Sequence, residues 1–331
     1  MMVALCLSFP VVSSYLIEPF LQELFHTTAV SVISSGNVLI MLMMIFMIIL
    51  LPILVRFLTL GKKNKIVMSY MGGANTGDDR SFVNSLIGGL LEGADRVLCA
   101  RMQGRQGPPL LQPFYDMFKL INKQSVVVNN VQDVLVCGFL IFVVFAGLLF
   151  YWGGDILLVF FALTLAEIFF IMSSCSANSP YSSMGAQREL LQNMAYEPMI
   201  LLAAIGFYLA TNSFNVKEIA TSSVPSIVYL PGIFVGYVFI LVIKLRKSPF
   251  DLSTSHHAHQ EMVRGLTTEL SGNVLAIVSL AEWYENVLLV SVIGLFFING
   301  TWWSILLAIL GCAIAYFVIV LVDNVFPRVK W

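Results

Sequence analysis

Four glutamates lie inside apolar runs that are long enough to cross a lipid bilayer: Glu167, Glu197, Glu282 and Glu285. A carboxylate in hydrocarbon costs about 2.5 kcal/mol or more, so such groups usually face a protein interior or a water-filled cavity. Glu282 and Glu285 are three residues apart, which places them on one face of a helix and close enough for proton hand-over. These four side chains are therefore candidates for a proton or ion path.

A simpler role for the same glutamates is also open. Each could merely pair with a Lys or Arg from another helix, because an ion pair offsets part of the cost of burying a charge. Arg188 and Lys244 are the cations that the sequence offers as partners.

The elements that must position these acids are transmembrane helices. The chain has 331 residues, of which 58% are hydrophobic and 11% charged, and its mean hydropathy is +0.87. Soluble domains are far less apolar. We therefore predict an all-α polytopic integral membrane protein with about seven or eight transmembrane helices and two long cytoplasmic loops carrying amphipathic helices. The predicted spans are Asn37–Val55, Val134–Trp152, Ile156–Cys175, Met194–Thr211, Ser223–Ile243, Asn273–Ile298 and Trp302–Val322, with Met1–Tyr15 as a further candidate.

The distribution of basic residues gives the orientation. If Met1–Tyr15 is a span, all but one of the 18 Lys and Arg fall on one side of the membrane, and Lys217 alone falls on the other. Basic residues accumulate in cytoplasmic loops. We expect the long segments Arg56–Asp133 and Lys244–Gly272, as well as the short loop Ser176–Asn193, to be cytoplasmic, in a multi-pass protein of a prokaryotic cell (inner) membrane. The net charge of −1 argues against nucleic-acid binding.

Polar residues are unusually frequent in the segment Ser248–Gly272, which lies between two predicted spans. Histidines at His-x-His spacing with nearby acids could ligate zinc, but one loop without a second set of ligands is a weak metal site, and we predict none. Contact with a soluble partner, or a merely solvated loop, are the other interpretations. Its histidines and acids are Asp251, His256, His257, His259, Glu261 and Glu269. The five cysteines show no CxxC spacing, which argues against disulfides or bound clusters.

The other long segment contains two helical patterns. Leu98 and Met102 share one flank of a helix that presents Arg101 and Arg105 on another, and the Gly-Pro-Pro that follows must end it. Next, Pro113–Asn122 has Phe114, Met117, Phe118 and Ile121 at spacings of three and four. Such a stripe predicts an amphipathic helix, with a position in the lipid headgroups as its simplest interpretation.

Two stretches carry a resemblance to a known family. ADRVLCARMQGRQGPPLLQPFYDMFKL, Ala94–Leu120, and PFDL with GLTTELSG, Pro249–Gly272, resemble the two signatures of the complex I subunit 1 family, which includes the H subunit of NADH-quinone oxidoreductase. With SHHAHQE included, the chain is most similar to the energy-converting nickel–iron (NiFe) hydrogenase branch, particularly the B subunit of Ech-type hydrogenase. The residues that match the family's motifs are Asp95, Arg96, Gln103, Gly107, Pro108, Gln112, Pro113, Asp116, Lys119, Pro249 and Phe250.

The departures from the quinone-reducing pattern are informative. Quinone-reducing members typically have AETNRAPFD where this chain has IKLRKSPFD. Lys244 therefore stands where the family has Glu, and Lys247 where it has Arg. Both differences reduce support for a quinone site.

The ends of the chain also differ from the family. Residues 1–85 resemble the C-terminal tail of an antiporter-like hydrogenase subunit, and Arg80–Glu92 is too short and too rich in glycine to cross a membrane. We expect an atypical segment 1–85 with one or two transmembrane helices, and its resemblance to an antiporter-like tail suggests a fusion. A complex I subunit 1-like membrane domain, 86–331, should follow, without the family's final helix.

The resemblance implies a non-catalytic membrane subunit of a hydrogenase complex. Such a subunit docks the hydrogenase small and large subunits, adjoins antiporter-like membrane subunits, and couples ferredoxin-linked H₂ evolution or uptake to H⁺ or Na⁺ translocation. It carries no cofactor itself, since the Fe–S clusters and the NiFe centre belong to its partners. A chamber at the soluble module would be lined by Arg101, Arg105, Asp251, Glu261 and Glu269, with the three histidines at the same contact. The alternatives are a quinone-binding subunit of a complex I-like dehydrogenase, a stand-alone cation/proton transporter and a passive anchor.

Overall fold

The computed structural model describes residues 86–123, 129–254 and 264–327, which are helical and contain no strand. The helices are α1 Leu86–Met102, α2 Gln112–Ile121, α3 Asn130–Tyr151, α4 Ile156–Cys175, α5 Pro180–Thr211, α6 Val216–Ala220, α7 Ser226–Tyr229, α8 Pro231–Lys244, a 3₁₀ turn Gly265–Thr267, α9 Gly272–Leu295 and α10 Trp302–Val325. The predicted all-α membrane fold is confirmed.

Five helices in the described residues, α3, α4, α5, α9 and α10, are long and apolar enough to cross a membrane. The predicted span at Ser223–Ile243 is instead divided at Leu230, whose φ of −125° and ψ of 42° separate α7 from α8. Pro231 favours the break, because proline lacks a backbone N–H and fits best in the first turn of a helix. The predicted spans at Met1–Tyr15 and Asn37–Val55 lie outside the described residues.

The predicted loop at Ser176–Asn193 is wrong for most of its length. Helix α5 begins at Pro180 and continues for 32 residues to Thr211. Its first turns are polar because they are buried among polar partners. Ser182 donates a hydrogen bond to the Ser174 carbonyl at 2.8 Å, and Gln192 donates one to the Phe250 carbonyl at 2.7 Å. Polarity here marks an internal contact instead of the end of a helix.

Aromatic stacking joins α3 to α4. The rings of Phe139 and Phe170 are 5.0 Å apart, and those of Phe142 and Phe169 are 5.3 Å apart. Gly138 leaves room for the second pair, since a Cβ at this position would approach Phe169 to 2.9 Å. Offset stacking adds to the burial of these large side chains and fixes the position of α4, which carries Glu167.

Helix α1 lies close to the backbone that leads into α2, and a glycine of α1 makes room for this contact. A Cβ on Gly93 would lie 2.0 Å from the Leu110 carbonyl oxygen, so the glycines of this segment permit close approach. The predicted amphipathic helix α2 is present, but the residues of its apolar stripe differ in exposure. Met117 is buried and Phe114 packs edge-on against Trp283 of α9, whereas Phe118 is 41% exposed. The apolar face of α2 is thus seated mainly on protein.

The bundle has two chemically different ends. At the aromatic end, where α3 and α5 finish and α10 begins, backbone bonds join the loops: Val216 N–H to Gly154 O and Gly300 N–H to Ala220 O, both 2.9 Å. Exposed aromatic side chains surround this end: Tyr151, Trp152, Tyr229, Trp302 and Trp303. The charged end, where α8 finishes and α9 begins, holds the buried ions described next.

Candidate functional site: a buried charge network

Three cations follow one another closely at the end of α8, at Lys244, Arg246 and Lys247. Each one lies between two carboxylates from different parts of the bundle. We call Lys244–Lys247 the cation segment and each cation with its two acids a triad. The six acids are Asp95 of α1, Glu167 of α4, Glu189 of α5, Glu282 and Glu285 of α9, and Asp323 of α10.

The Lys244 triad is the most enclosed of the three. The Lys244 Nζ lies 2.7 Å from Glu167 Oε1 and 3.4 Å from Glu285 Oε1, and all three side chains are at least 93% buried. Tyr196 of α5 donates a 2.5 Å hydrogen bond to the other oxygen of Glu167, Oε2. The ammonium group also lies 5.4 Å from the centre of the Tyr196 ring. One lysine therefore joins α4, α5 and α9.

Arg246 forms the second triad. Its Nε donates to Glu189 Oε1 at 2.9 Å and one terminal nitrogen donates to Glu282 Oε1 at 2.8 Å. The guanidinium carbon lies 5.1 Å from the centre of the Phe170 ring, a distance at which the ring face attracts a cation. A planar group with several fixed donors suits two carboxylates that approach from different helices.

Lys247 forms the third triad and fixes the last helix. It contacts Asp95 directly and lies 3.6 Å from Asp323 Oδ2. The other oxygen of Asp323 accepts the backbone N–H of Ser248 at 2.8 Å. Asp323 is in the last turn of α10, where a negative charge opposes the helix dipole, so these two donors compensate for an unfavourable position.

A more exposed cluster joins α1 to α2. Arg96 donates to Glu92 at 2.6 Å and to Asp116 at 2.7 Å, and Gln112 donates to the other Asp116 oxygen at 3.0 Å. Partial burial alone would raise the pKa of Asp116, but the hydrogen bonds from Arg96 and Gln112 outweigh it and hold that pKa below its usual value. The indole of Trp283 donates to Glu92, which ties this cluster to α9.

The depth of the cation segment follows from the length of α8. Helix α8 starts near the aromatic end and has 14 residues, which span about 21 Å at 1.5 Å per residue. The hydrocarbon core of a bilayer is about 30 Å thick. Lys244 therefore lies inside the membrane thickness, and the cations that follow it are held within the protein instead of at the membrane surface.

Three of the four predicted glutamates belong to the triads of the cation segment. Glu167 and Glu285 share Lys244, as the pairing interpretation anticipated, whereas Glu282 pairs with Arg246. Glu282 and Glu285 are thus divided between two triads. Glu197 differs from all of them, because it is half-buried and forms none of the ion pairs found in the described part of the chain. Arg188, the other predicted partner, is buried and lies 3.5 Å from the Leu252 carbonyl oxygen.

The predicted chamber residues are only partly described. Arg101 and Arg105 are exposed, and Arg105 donates to Gln103, whereas Asp251 and Glu269 are half-buried. The remaining predicted members, His256, His257, His259 and Glu261, lie outside the described residues.

The motif residues mostly have structural partners at the same end. Asp95, Arg96, Gln112 and Asp116 take part in the contacts above, and Gln103 donates to Asn324 at 3.0 Å. Pro113 is buried and Lys119 is exposed. The carbonyl of Phe250 accepts from Gln192, and a Cβ on Gly107 would approach the Val97 Cα to 3.1 Å.

Sequence reasoning missed Glu189, Arg246 and Asp323 as members of the triads, and Glu92 as a partner of Arg96. Glu189 was hidden by its assignment to a loop, and Arg246 by the expectation of a polar segment at the membrane surface. Asp323 had a recognisable signal, because it is an acid at the unfavourable end of an apolar helix.

Comparison with known proteins identifies the family. A family model described as NADH dehydrogenase matches residues 81–331. Hydrogenase-4 component C of Escherichia coli is 30% identical over 59% of this chain, and the chain spans 64% of that relative's length. Formate hydrogenlyase subunit 4 of Escherichia coli is 26% identical over 73% of this chain and 89% of its own.

Two further comparisons extend this result. The H subunit of NADH-quinone oxidoreductase from Dehalococcoides mccartyi is 29% identical over 63% of this chain and 64% of its own. A chain in the solved structure of the membrane-bound sulfane sulfur reductase, an archaeal respiratory membrane complex, superposes with a TM-score of 0.67 at 23% identity, covering 74% of this chain and 87% of that one, and so shares the fold. The chain belongs to the NADH dehydrogenase family, that of complex I subunit 1.

Proposed function

We propose that this chain is the membrane subunit of an energy-converting nickel–iron hydrogenase complex. In this role it docks the hydrogenase module and couples ferredoxin-linked H₂ evolution or uptake to translocation of H⁺ or Na⁺. Two relatives carry hydrogenase or hydrogenlyase names, which supports this choice within the family. The lysines at positions 244 and 247, where the quinone-reducing pattern has Glu and Arg, support it further.

The observation that carries the proposal is the sequence of three triads along the cation segment. Buried charges in a membrane protein usually mark ion or proton routes. Here Lys244, Arg246 and Lys247 contact acids on five helices, and the same segment continues directly into Ser248 and the polar loop. Charges separated by a few ångströms in a medium of low dielectric interact strongly, so a charge change at the docking side is felt within the bundle.

The partners and cofactors follow from this role. The hydrogenase small and large subunits would contact the polar loops on the cytoplasmic side of a prokaryotic inner membrane, and antiporter-like subunits would adjoin the bundle. The Fe–S clusters and the NiFe centre would reside in those partners. This chain would contribute protonatable side chains and would catalyse no redox step itself.

The test is ion uptake during turnover in inverted membrane vesicles that contain the whole complex. We expect Glu197→Gln and Glu282→Gln to abolish H⁺ or Na⁺ uptake coupled to ferredoxin-driven H₂ evolution, with Glu218→Gln as the control, since Glu218 is exposed near the aromatic end. Unchanged uptake in both path variants would indicate a passive anchor. Ion flux through the purified chain alone in liposomes would indicate a stand-alone transporter.

A second candidate is a quinone-binding subunit of a complex I-like dehydrogenase. It is favoured by the 29% identity to the H subunit of NADH-quinone oxidoreductase. Quinone-dependent electron transfer that is sensitive to rotenone-like inhibitors would support this candidate. The same membranes should show no such activity if the hydrogenase proposal is correct.

A further inference from the structure

The Lys244 triad contains two acids and a single base in an enclosed site. Glu167 and Glu285 both contact the Lys244 ammonium group, at 2.7 and 3.4 Å, so two buried carboxyl groups share one cation. Two buried carboxylates that share one cation repel each other when both are ionised, and this repulsion is relieved when one of the two acids binds a proton. With both ionised, the buried triad would carry a net negative charge.

We propose that Glu167 and Glu285 hold one proton between them, that Glu285 carries it, and that Tyr196 is the positioning residue that keeps it there. The triad is then electrically neutral, with Lys244 and Glu167 charged and Glu285 uncharged. This inference deepens the proposed function, on which its role in coupling rests, because it names the side chain that would be loaded and unloaded with a proton.

The asymmetry of the contacts decides which acid is ionised. Glu167 receives the closer contact from Lys244, 2.7 Å against 3.4 Å for Glu285. Its second oxygen accepts the 2.5 Å hydrogen bond from Tyr196. A cation at one oxygen and a hydroxyl donor at the other stabilise the carboxylate form over the protonated acid. Among the described residues, the longer contact with the Lys244 ammonium group is the one ion pair that Glu285 forms.

The charged residues near the Lys244 triad also favour a protonated Glu285. Arg246, next along the cation segment, is already shared by Glu189 and Glu282. The half-buried Glu197 follows Tyr196 on α5, and a negative charge there would disfavour a further negative charge nearby. A second ionised carboxylate at Glu285 would therefore have no cation of its own.

Infrared spectroscopy of the full complex in its membrane tests this directly, because a protonated carboxylic acid has a C=O stretch that a carboxylate lacks. We expect Glu285→Gln to remove one acid C=O band relative to the unmodified complex. Glu167→Gln should remove the same band, because Lys244 and Glu285 then form a simple ion pair. Either spectrum still containing the full acid signal would overturn the shared proton.

Two further variants test the assigned roles. Lys244→Met should add a second acid band, since without the cation both glutamates must be neutral. Tyr196→Phe should retain one band but shift it, because the proton is then free to reside on Glu167, and an unshifted band would refute the positioning role. Glu218→Gln, an exposed carboxylate, should change no acid band. These spectra require no H₂ turnover, so a failure of the coupling proposal leaves them interpretable.

Discussion

The charged end and the aromatic end of this bundle are made from the same helices but use polar groups in opposite ways. At the charged end, ionised side chains are buried and meet one another, as Arg246 meets Glu189 and Glu282. At the aromatic end, amphipathic side chains point outward, and Trp152 is 89% exposed. Tryptophan and tyrosine with this exposure are typical of residues at a membrane–water interface. One end is organised by contacts within the protein and the other by contact with its surroundings.

This difference indicates where substitutions matter. A buried ion pair contributes little net free energy compared with an apolar replacement, but removal of one partner leaves an uncompensated charge. The charged end should therefore be sensitive to single changes that the aromatic end tolerates.

The largest effect is expected for Arg246→Met. This change leaves Glu189 and Glu282 without their shared cation, and loss of one member of a buried pair costs about 3–5 kcal/mol. Thermal or denaturant unfolding of the purified complex should show the loss. Arg101→Met is the control, because Arg101 is exposed and should change stability by less than about 0.5 kcal/mol. Equal stability of the two variants would contradict the role of the network.

A smaller effect is expected where backbone segments touch. Gly93→Ala would place a Cβ 2.0 Å from the Leu110 carbonyl oxygen, which must move with the start of α2. Overpacking of this kind destabilises by about 1–3 kcal/mol. Gly147→Ala in α3 has no neighbour within 4 Å and should be neutral or slightly stabilising in the same unfolding measurement. A neutral Gly93→Ala variant would show that α1 and α2 do not depend on this contact.

The Asp116 cluster gives a small dependence on pH. The depressed pKa of Asp116 means that its stabilisation is present above the usual value of 3.8 and is lost as the pH falls through the lower, folded value. Because the side chains of Arg96 and Asp116 are both partly exposed, their ion pair should contribute less than about 1 kcal/mol to the free energy of unfolding. The free energy of unfolding, measured against pH, should become the same for the unmodified chain and for Asp116→Asn below the pKa of Asp116 in the folded protein. Parallel curves over that range would argue against the Arg96 contact.

The smallest effect is expected at the aromatic end. Trp302→Ala and Trp303→Ala should each change the free energy of unfolding by less than about 0.5 kcal/mol, because both side chains are exposed. Brominated lipids of known depth provide the complementary measurement. They should quench these two indoles at the headgroup level and leave the buried Trp283 unquenched. Strong quenching of Trp283 would contradict the packing of α2 on α9.

The helices were largely predictable from the sequence, whereas the connections inside the site were not. Long apolar runs predict α4 and α10 because the period and length of a span are local properties. The helical start of α5 could not be read in this way, because its polar residues are satisfied by partners that are distant in the chain, such as Phe250 for Gln192. Lys244 was identified as a partner for the acids, but its division between Glu167 and Glu285 depends on how three helices pack.

The 14 residues of α8 place Lys244 about 21 Å from the aromatic end, roughly two thirds of the way across a hydrocarbon core of about 30 Å. By the same rise per residue, Glu167 lies about 17 Å from the start of α4 at the aromatic end, so a proton that reaches it from the charged end has crossed a little under half of the membrane's electrical potential. One elementary charge crossing the whole potential gains or loses about 2.3 kcal/mol per 100 mV, so this step corresponds to about 1 kcal/mol per 100 mV. The shortness of a single helix thus makes protonation at this site respond to voltage.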